Sequence, residues 1–316
     1  MQNLQLGWQP ATLLSAGLFT AATASTRLSR PAAGAQAGGG AQAGGGARAA
    51  GGGRAAAYLR EAGLVAALYA LWQLACTVSV LGGGGAFGRA REIVVIERAA
   101  RLPSEHAAQR LVTGHPLLTQ AANWYYAAMH FAALGVLLLW LFARHRRRYP
   151  EVRNVLVLLT AGSLLIQLVP VAPPRLLPGY VDTAARYGQS VYGVSGLSVD
   201  QLGAMPSVHV GWALLIGWAV VRVSPSRYRW WVLAHPVLTV FVVVATANHF
   251  WLDGIVAAAL LAAAIGLLRL PVLARLTAGV DDGDAGRRGA GHGRQRRPDL
   301  VQIDRGGDQL VGPHRA

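Results

Sequence analysis

His249 and Asp253 stand four residues apart in Asn248-His249-Phe250-Trp251-Leu252-Asp253. On a helix that spacing puts imidazole and carboxylate on one face. The carboxylate can then accept from one ring nitrogen, fix the tautomer, and leave the other nitrogen as a base or nucleophile. The plainer reading is a pair that neutralises a helix end. A second group lies in Gly203-Ala204-Met205-Pro206-Ser207-Val208-His209. Pro and Ser at a helix start offer backbone N–H groups and a hydroxyl at the positive end of the helix dipole, a ready site for phosphate. His209 in the first turn could protonate a leaving oxygen; otherwise the segment is an N-cap with an interfacial histidine. The third is Arg175 in Ala172-Pro173-Pro174-Arg175-Leu176-Leu177-Pro178, a planar multidentate donor for phosphate oxygens or a side chain that snorkels to headgroups. Two histidines, a carboxylate and an arginine are the parts for phosphoryl transfer through a phosphohistidine, provided that one surface gathers them.

The elements that must gather them are apolar. Of 316 residues 53% are hydrophobic and only 14% charged, and the mean hydropathy is +0.36. A soluble domain carries roughly 25% charged residues, so the composition argues against a water-facing globule. The spacing predicts an all-α integral membrane protein, a bundle of six transmembrane helices over approximately Ala62–Leu81, Gln120–Ala143, Val152–Ala172, Met205–Val221, Trp230–Ala247 and Leu252–Leu268. Aromatic residues at several ends (Trp124, Tyr125, Trp230, Trp231, Trp251) fit interfacial belts. Three domains follow: a Gly/Ala-rich N-terminal tail over 1–57, the membrane domain over 58–272, and a polar C-terminal tail over 273–316. Both tails read as disordered, because repeats such as those between Ala33 and Gly53 bury too little apolar surface to fold.

Every one of the 29 basic residues is arginine, and the formal charge is +15. The arginines lie between apolar runs and form no continuous basic face, which argues against nucleic acid as a partner. They cluster instead at Arg144–Arg153, at Arg222, Arg227 and Arg229, and at Arg269 and Arg275. The positive-inside rule makes those regions and both termini cytoplasmic. The protein then sits in the plasma membrane with two longer outer loops, Gly82–Thr119 and Pro173–Ala204. Arg175, Ser207, His209, His249 and Asp253 all fall on that extracytoplasmic side. The first outer loop also carries five arginines, against the rule. Its pattern of Ile93, Val94 and Ile96 against Arg91, Glu92, Glu97 and Arg98 suggests an amphipathic interfacial helix.

Between Val152 and Leu270 the carboxylates are Asp182, Asp200 and Asp253. Solvation in the second outer loop accounts for Asp182 and Asp200, whereas Asp253 at the mouth of an apolar span points to function. No close carboxylate pair stands ready to hold Mg²⁺, so the expectation is a metal-free route with no cofactor. His106, His115, His130, His145 and His235 lack such a partner in sequence and read as structural. The single cysteine, Cys76, excludes an internal disulfide.

Pro206-Ser207-Val208-His209 followed by His249-Phe250-Trp251-Leu252-Asp253 resembles the second and third signatures of the type-2 phosphatidic acid phosphatase superfamily. The closer likeness is to its inositolphosphotransferase branch, the relatives of inositol phosphorylceramide synthase. Asn123-Trp124-Tyr125-Tyr126 with His130, and Pro173-Pro174-Arg175-Leu176, are similar to that branch too. The resemblance spans roughly Ala62 to Leu270. It implies a six-helix enzyme with His249 as nucleophile, Asp253 as its orienting partner and His209 as acid, with Arg175 and Ser207 binding phosphate. The substrate would be a phospholipid or a polyprenyl-phosphate-type lipid. Where the phosphatases carry Ser-Arg before the third-motif histidine, Val242 and Val243 stand here; Leu168 replaces the first-motif lysine, and Leu176 follows Arg175. Fewer cations favour the synthase-like branch and a contribution from Arg186 or a first-loop arginine. Three functions remain: a phosphotransferase, a lipid phosphate phosphatase, or a non-catalytic protein that binds anionic lipid.

The arginine asymmetry yields a direct test. A cysteine placed at Ser198 should react with an impermeant thiol reagent on intact cells, and one at Ser226 should not. The reverse pattern would put the candidate site in the cytoplasm.

Overall fold

The computed structural model describes residues 8–28, isolated positions between 58 and 74, 85–189, and 201–270. These described residues are helical, joined by turns, with a lone β-bridge between Val171 and Gly203. In chain order the helices are α1 (Trp8–Leu28), α2 (Ala86–Ala99), α3 (Glu105–Thr113), α4 (Pro116–Arg144), α5 (Tyr149–Gln167), α6 (Thr183–Arg186), α7 (Val208–Val223), α8 (Ala234–Ala245) and α9 (Trp251–Leu268). Short 3₁₀ turns cover Pro174–Leu176 and Arg227–Leu233.

Proline and serine set the boundaries. Pro116 and Pro150 lie in the first turns of α4 and α5, where a missing N–H costs nothing. Pro170 follows the end of α5, and Pro173 holds the chain extended before the 3₁₀ turn that Pro174 opens. Ser207 caps α7, its hydroxyl accepting from Val210 N–H.

Four segments are long and apolar enough to cross a membrane: Pro116–Arg144, Tyr149–Gln167, Arg227–Ala245 and Trp251–Leu268. They match four of the six expected spans and fit a membrane protein. The expected Met205–Val221 span begins only at Val208, because the Ser207 cap precedes it, and stops before Pro225. Its 16 residues reach about 24 Å, short of the ~30 Å hydrocarbon core. Ala62–Leu81 falls largely outside the described residues, as do the Gly-rich repeat and the polar tail. The fifth span starts earlier than Trp230, since the 3₁₀ turn runs directly into α8.

The N-terminal tail reading needs one change. Trp8–Leu28 is a helix, and Ser15 on it donates to the Gly63 carbonyl at 2.9 Å. Its Leu and Ala content favours helix, and the Gly-rich composition that argued for disorder begins only beyond it.

One apolar core fills the middle of the bundle. Leu137 and Leu141 of α4, Val155 and Leu159 of α5, Leu215 of α7 and Leu261 of α9 are buried together there. Leu117, Val136, Leu139, Leu165 and Val237 point outward, as lipid contact requires. A smaller cluster closes one end, where Ala86, Ala90 and Ile93 of α2 pack on Val171, Ala172, Leu177 and Phe250. Glu97, placed by pattern on the charged face of an interfacial helix, is instead 3% exposed, on the same face as Ala90 and Ile93. Val95 and Ile96 face outward. The inward face follows the helical spacing 86, 90, 93, 97, which the run of adjacent apolar residues concealed.

Candidate active site

The turn from α8 to α9 carries the histidine–carboxylate pair. Val243 O accepts from both Asn248 N–H and His249 N–H, and Ala247 sits at φ 55. A left-handed alanine costs of order 1–3 kcal/mol, held here by its surroundings. The adjacent carbonyl, Ala247 O, accepts from Arg175 N–H at 2.8 Å. Asp253 in the first turn of α9 is fully buried, and its Oδ2 accepts from Phe250 N–H at 2.9 Å. The same oxygen lies 3.2 Å from His249 Nδ1, which is 2.7 Å from Ala204 O.

That geometry fixes the tautomer. A backbone carbonyl only accepts, so Nδ1 carries the hydrogen and Nε2 carries the lone pair of the neutral ring. Nε2 is buried and has no hydrogen-bond partner among the described residues. An unsatisfied buried nitrogen is costly unless it has a job elsewhere.

His209 lies across from it, the two ring centroids 5.6 Å apart. Its Nε2 is likewise buried without a partner. Tyr126 stacks on one side of the ring at 4.2 Å and 19°, and His130 packs against it at 4.1 Å. His130, read from sequence as structural, is therefore part of the site; its Nδ1 donates to Tyr126 O at 3.1 Å. Tyr126 and His130 are i, i+4 on α4, so their shared face was readable, and both stand in a stretch with the same family likeness as the His209 motif, but spacing alone did not bring them to His209.

Arg175 is 6% exposed. Its Nη1 donates to Asn248 Oδ1 at 2.7 Å, and its Nε lies 3.4 Å from Asp182 Oδ2. Asn248 is oriented in turn by donating to Thr246 Oγ1. Asp182, assigned to solvent by sequence, thus neutralises Arg175 and also caps α6 through Ala185 N–H. Its loop is strapped down by Gln109, which pairs with Val181 through both backbone groups, and by Asn123 with Thr183. Ser207 is fully buried and its N–H reaches Asp253 O at 3.2 Å. Its hydroxyl is already used in the cap.

The structure therefore gathers Arg175, Ser207, His209, His249 and Asp253 at one end of the bundle. Arg186 lies in α6, the helix capped by Asp182, its guanidinium 6.0 Å from the Tyr187 ring centroid. One expectation about carboxylates needs correction. Glu97 and Glu105 are buried against each other behind Asp253, a pair that the count beginning at Val152 missed. Among the described residues, no three His, Cys, Asp or Glu side chains converge as a metal site.

A helical bundle that crosses a membrane and closes one end around a histidine–carboxylate pair defines a narrow class of membrane protein. Residues 91–267, more than half of the chain, match the PAP2 superfamily, and the chain belongs to that superfamily. Neither curated proteins nor solved structures give a match.

The Asp182 contact predicts competition with bound anions. Asp182→Asn keeps the α6 cap, since Asn caps as well as Asp, but removes the charge opposing a phosphate at Arg175. Vanadate titrated into the variant should bind up to about fivefold tighter, the ~1 kcal/mol ceiling of a partly exposed ion pair. Unchanged affinity would show that Asp182 does not compete.

Proposed function

We propose that this protein is a membrane phosphotransferase that moves a phosphate or phospho-headgroup between a lipid and a hydroxyl acceptor through a phosphohistidine on His249. Membership of the PAP2 superfamily supports lipid-phosphate chemistry of the phosphatase or phosphotransferase kind. The observation that carries the mechanism is the His249 ring, pinned at Nδ1 by Ala204 O and Asp253, with its Nε2 left without a partner among the described residues and the His209 ring 5.6 Å away.

In the first half-reaction Nε2 attacks phosphorus and the bond to the leaving oxygen breaks. His209, holding a proton that arrives with the bound phosphate anion, gives it to that oxygen, so the lipid alcohol departs neutral. The phospho-imidazolium keeps its Nδ1 hydrogen, and Asp253 stabilises the positive ring. In the second half the acceptor hydroxyl gives its proton to His209 and attacks phosphorus, which frees His249. Arg175, held in plane by Asn248, and the N-terminus of α7 at Ser207 neutralise the phosphoryl oxygens. The Tyr126 and His130 rings fix the plane of His209. We read the route as metal-independent, the site as extracytoplasmic in the plasma membrane, and residues 58–272 as the catalytic domain between two tails.

Water as acceptor would give a lipid phosphate phosphatase through the same intermediate. Transfer is favoured by the replacement of the phosphatase signature lysine by Leu168 and of its Ser-Arg by Val242 and Val243, a likeness to the inositolphosphotransferase branch. Phosphate release without any acceptor would favour the phosphatase. Lipid binding that survives His249 substitution, with no turnover even in wild type, would leave only an anionic-lipid-binding protein.

The two histidines are separable by leaving group. His249→Gln should be inactive with every substrate, because no side chain remains to accept the phosphoryl group. His209→Gln should be slow with an alkyl lipid phosphate and recover substantially with an activated phenolate ester, which departs without a proton. Asp253→Asn should lose about 10⁴-fold, the scale seen for triad carboxylates. Equal rescue of both histidine variants by the activated ester would overturn the assignment.

A further inference from the structure

Glu97 and Glu105 come from different helices, α2 and α3, and are buried at 3% and 6% exposure. Neither makes an ion pair among the described residues. Glu97 Oε1 accepts from Leu252 N–H at 2.7 Å, in the first turn of α9 and next to Asp253. Glu105 Oε2 accepts from Tyr180 OH at 3.3 Å. The remaining oxygens, Glu97 Oε2 and Glu105 Oε1, are buried and accept nothing from any N–H or O–H. The two side chains are within hydrogen-bond reach of each other. One proton between those two oxygens satisfies both; without it, two like charges face each other out of water.

We propose that Glu97 is a positioning residue held as a neutral carboxylic acid: its hydroxyl donates to Glu105, its carbonyl oxygen accepts from Leu252 N–H, and this clamp ties α2 and α3 to the turn that presents Asp253 to His249. The groups facing the clamp are consistent with it. From α3 come Glu105 and His106, the latter stacked on Tyr180 at 3.7 Å. From the second outer loop comes Tyr180, whose phenol is pushed up by burial and by Glu105 and so stays a donor. From α9 comes Asp253, a further negative neighbour, and from α2 itself Arg98, which acts on Tyr180. Burial first, then Glu105 and Asp253, push Glu97 up to about 8, while the Leu252 N–H pulls it down.

The sign follows from that rise. The folded chain holds a proton that an unfolded glutamate, at its ordinary 4.5, releases. Stabilisation from the clamp is full below that value, declines as pH rises, and is gone once pH passes about 8. Above that point the proton passes to bulk buffer, the carboxylates repel, and Leu252 loses its anchor. Cα drift in the first turn of α9 then spoils the Asp253–His249 contact. This bearing on turnover rests on the proposed role of His249; the protonation of Glu97 does not.

The test is infrared difference spectroscopy of the full chain in detergent micelles, between about pH 6 and about pH 10. Wild type should show a protonated-carboxyl C=O band that disappears with a midpoint near 8, which is present in Asp253→Asn and missing from Glu97→Gln. No such band in wild type, or an unchanged band in Glu97→Gln, would overturn the neutral acid. Wild type alone decides the first point, so a poorly folding variant does not rescue the proposal. Turnover of a short-chain phosphatidate in the same micelles reads the positioning role. Wild type should lose activity through an alkaline limb near 8, and Glu97→Gln, whose amide keeps both hydrogen bonds without titrating, should lack that limb. An identical limb in both would overturn the positioning role. Absence of turnover in wild type at every pH would instead count against the proposed phosphotransferase, with the infrared result standing.

Discussion

Everything at this site depends on the hydrogen on His249 Nδ1. Ala204 O can only accept, and Asp253 Oδ2 adds a charged acceptor 3.2 Å away, so the ring has one tautomer and one reactive nitrogen. Holding that hydrogen takes three segments distant in sequence. Ala204 arrives from the loop before α7, bridged through Gly203 to Val171. Asp253 is fixed by Phe250 N–H, and its own carbonyl takes Ser207 N–H. The turn between α8 and α9 accepts strain at Ala247 to bring His249 round, and Arg175 N–H ties that turn to the proline-rich stretch before α6. Most of these bonds use a backbone N–H or carbonyl, a group that buried chain must satisfy. The site is therefore built largely from the ends of elements whose middles are simply apolar.

The bilayer supplies the second constraint. Inside it, helices close their own hydrogen bonds and irregular chain must be covered by protein. Here the irregular segments, the proline-rich stretch from Pro170 to Pro178 and the turn at Thr246–Phe250, lie on one another and on α2. Ala86, Ala90 and Ile93 cover Phe250 and Ala172 at that end. The segment that carries α2 and α3 therefore packs on the turns of the site and supplies the Glu97–Glu105 pair, with Glu97 bound to Leu252 N–H beside Asp253.

The apolar runs and the chemistry-bearing motifs were legible in the sequence because each is local. An i, i+4 pair, a serine cap and a 20-residue apolar run all act within a few turns of one helix. The contacts between those pieces were not legible. Asp182 looked solvated because its partner, Arg175, is reached only once the proline-rich turn folds back. His130 looked structural because the ring it packs against, His209, belongs to another helix. Glu97 looked exposed because adjacent apolar residues masked the 86, 90, 93, 97 face, and its partners Glu105 and Leu252 N–H come from α3 and α9. Asn248 stood beside His249 in the motif, but only the structure gives it the task of holding Arg175. In each case but Asp182, whose partner is only seven residues away, the missing information was a long-range pairing.

The central claim is that phosphorus becomes bonded to His249. Wild type and His209→Gln, each mixed with a radiolabelled phosphatidate and quenched, should carry acid-labile, alkali-stable label on the chain, and peptide mapping should place it at His249. His249→Gln should carry none. Label that survives in His249→Gln, or that is stable to acid, would contradict the account, because the phosphoryl group would then rest on another side chain.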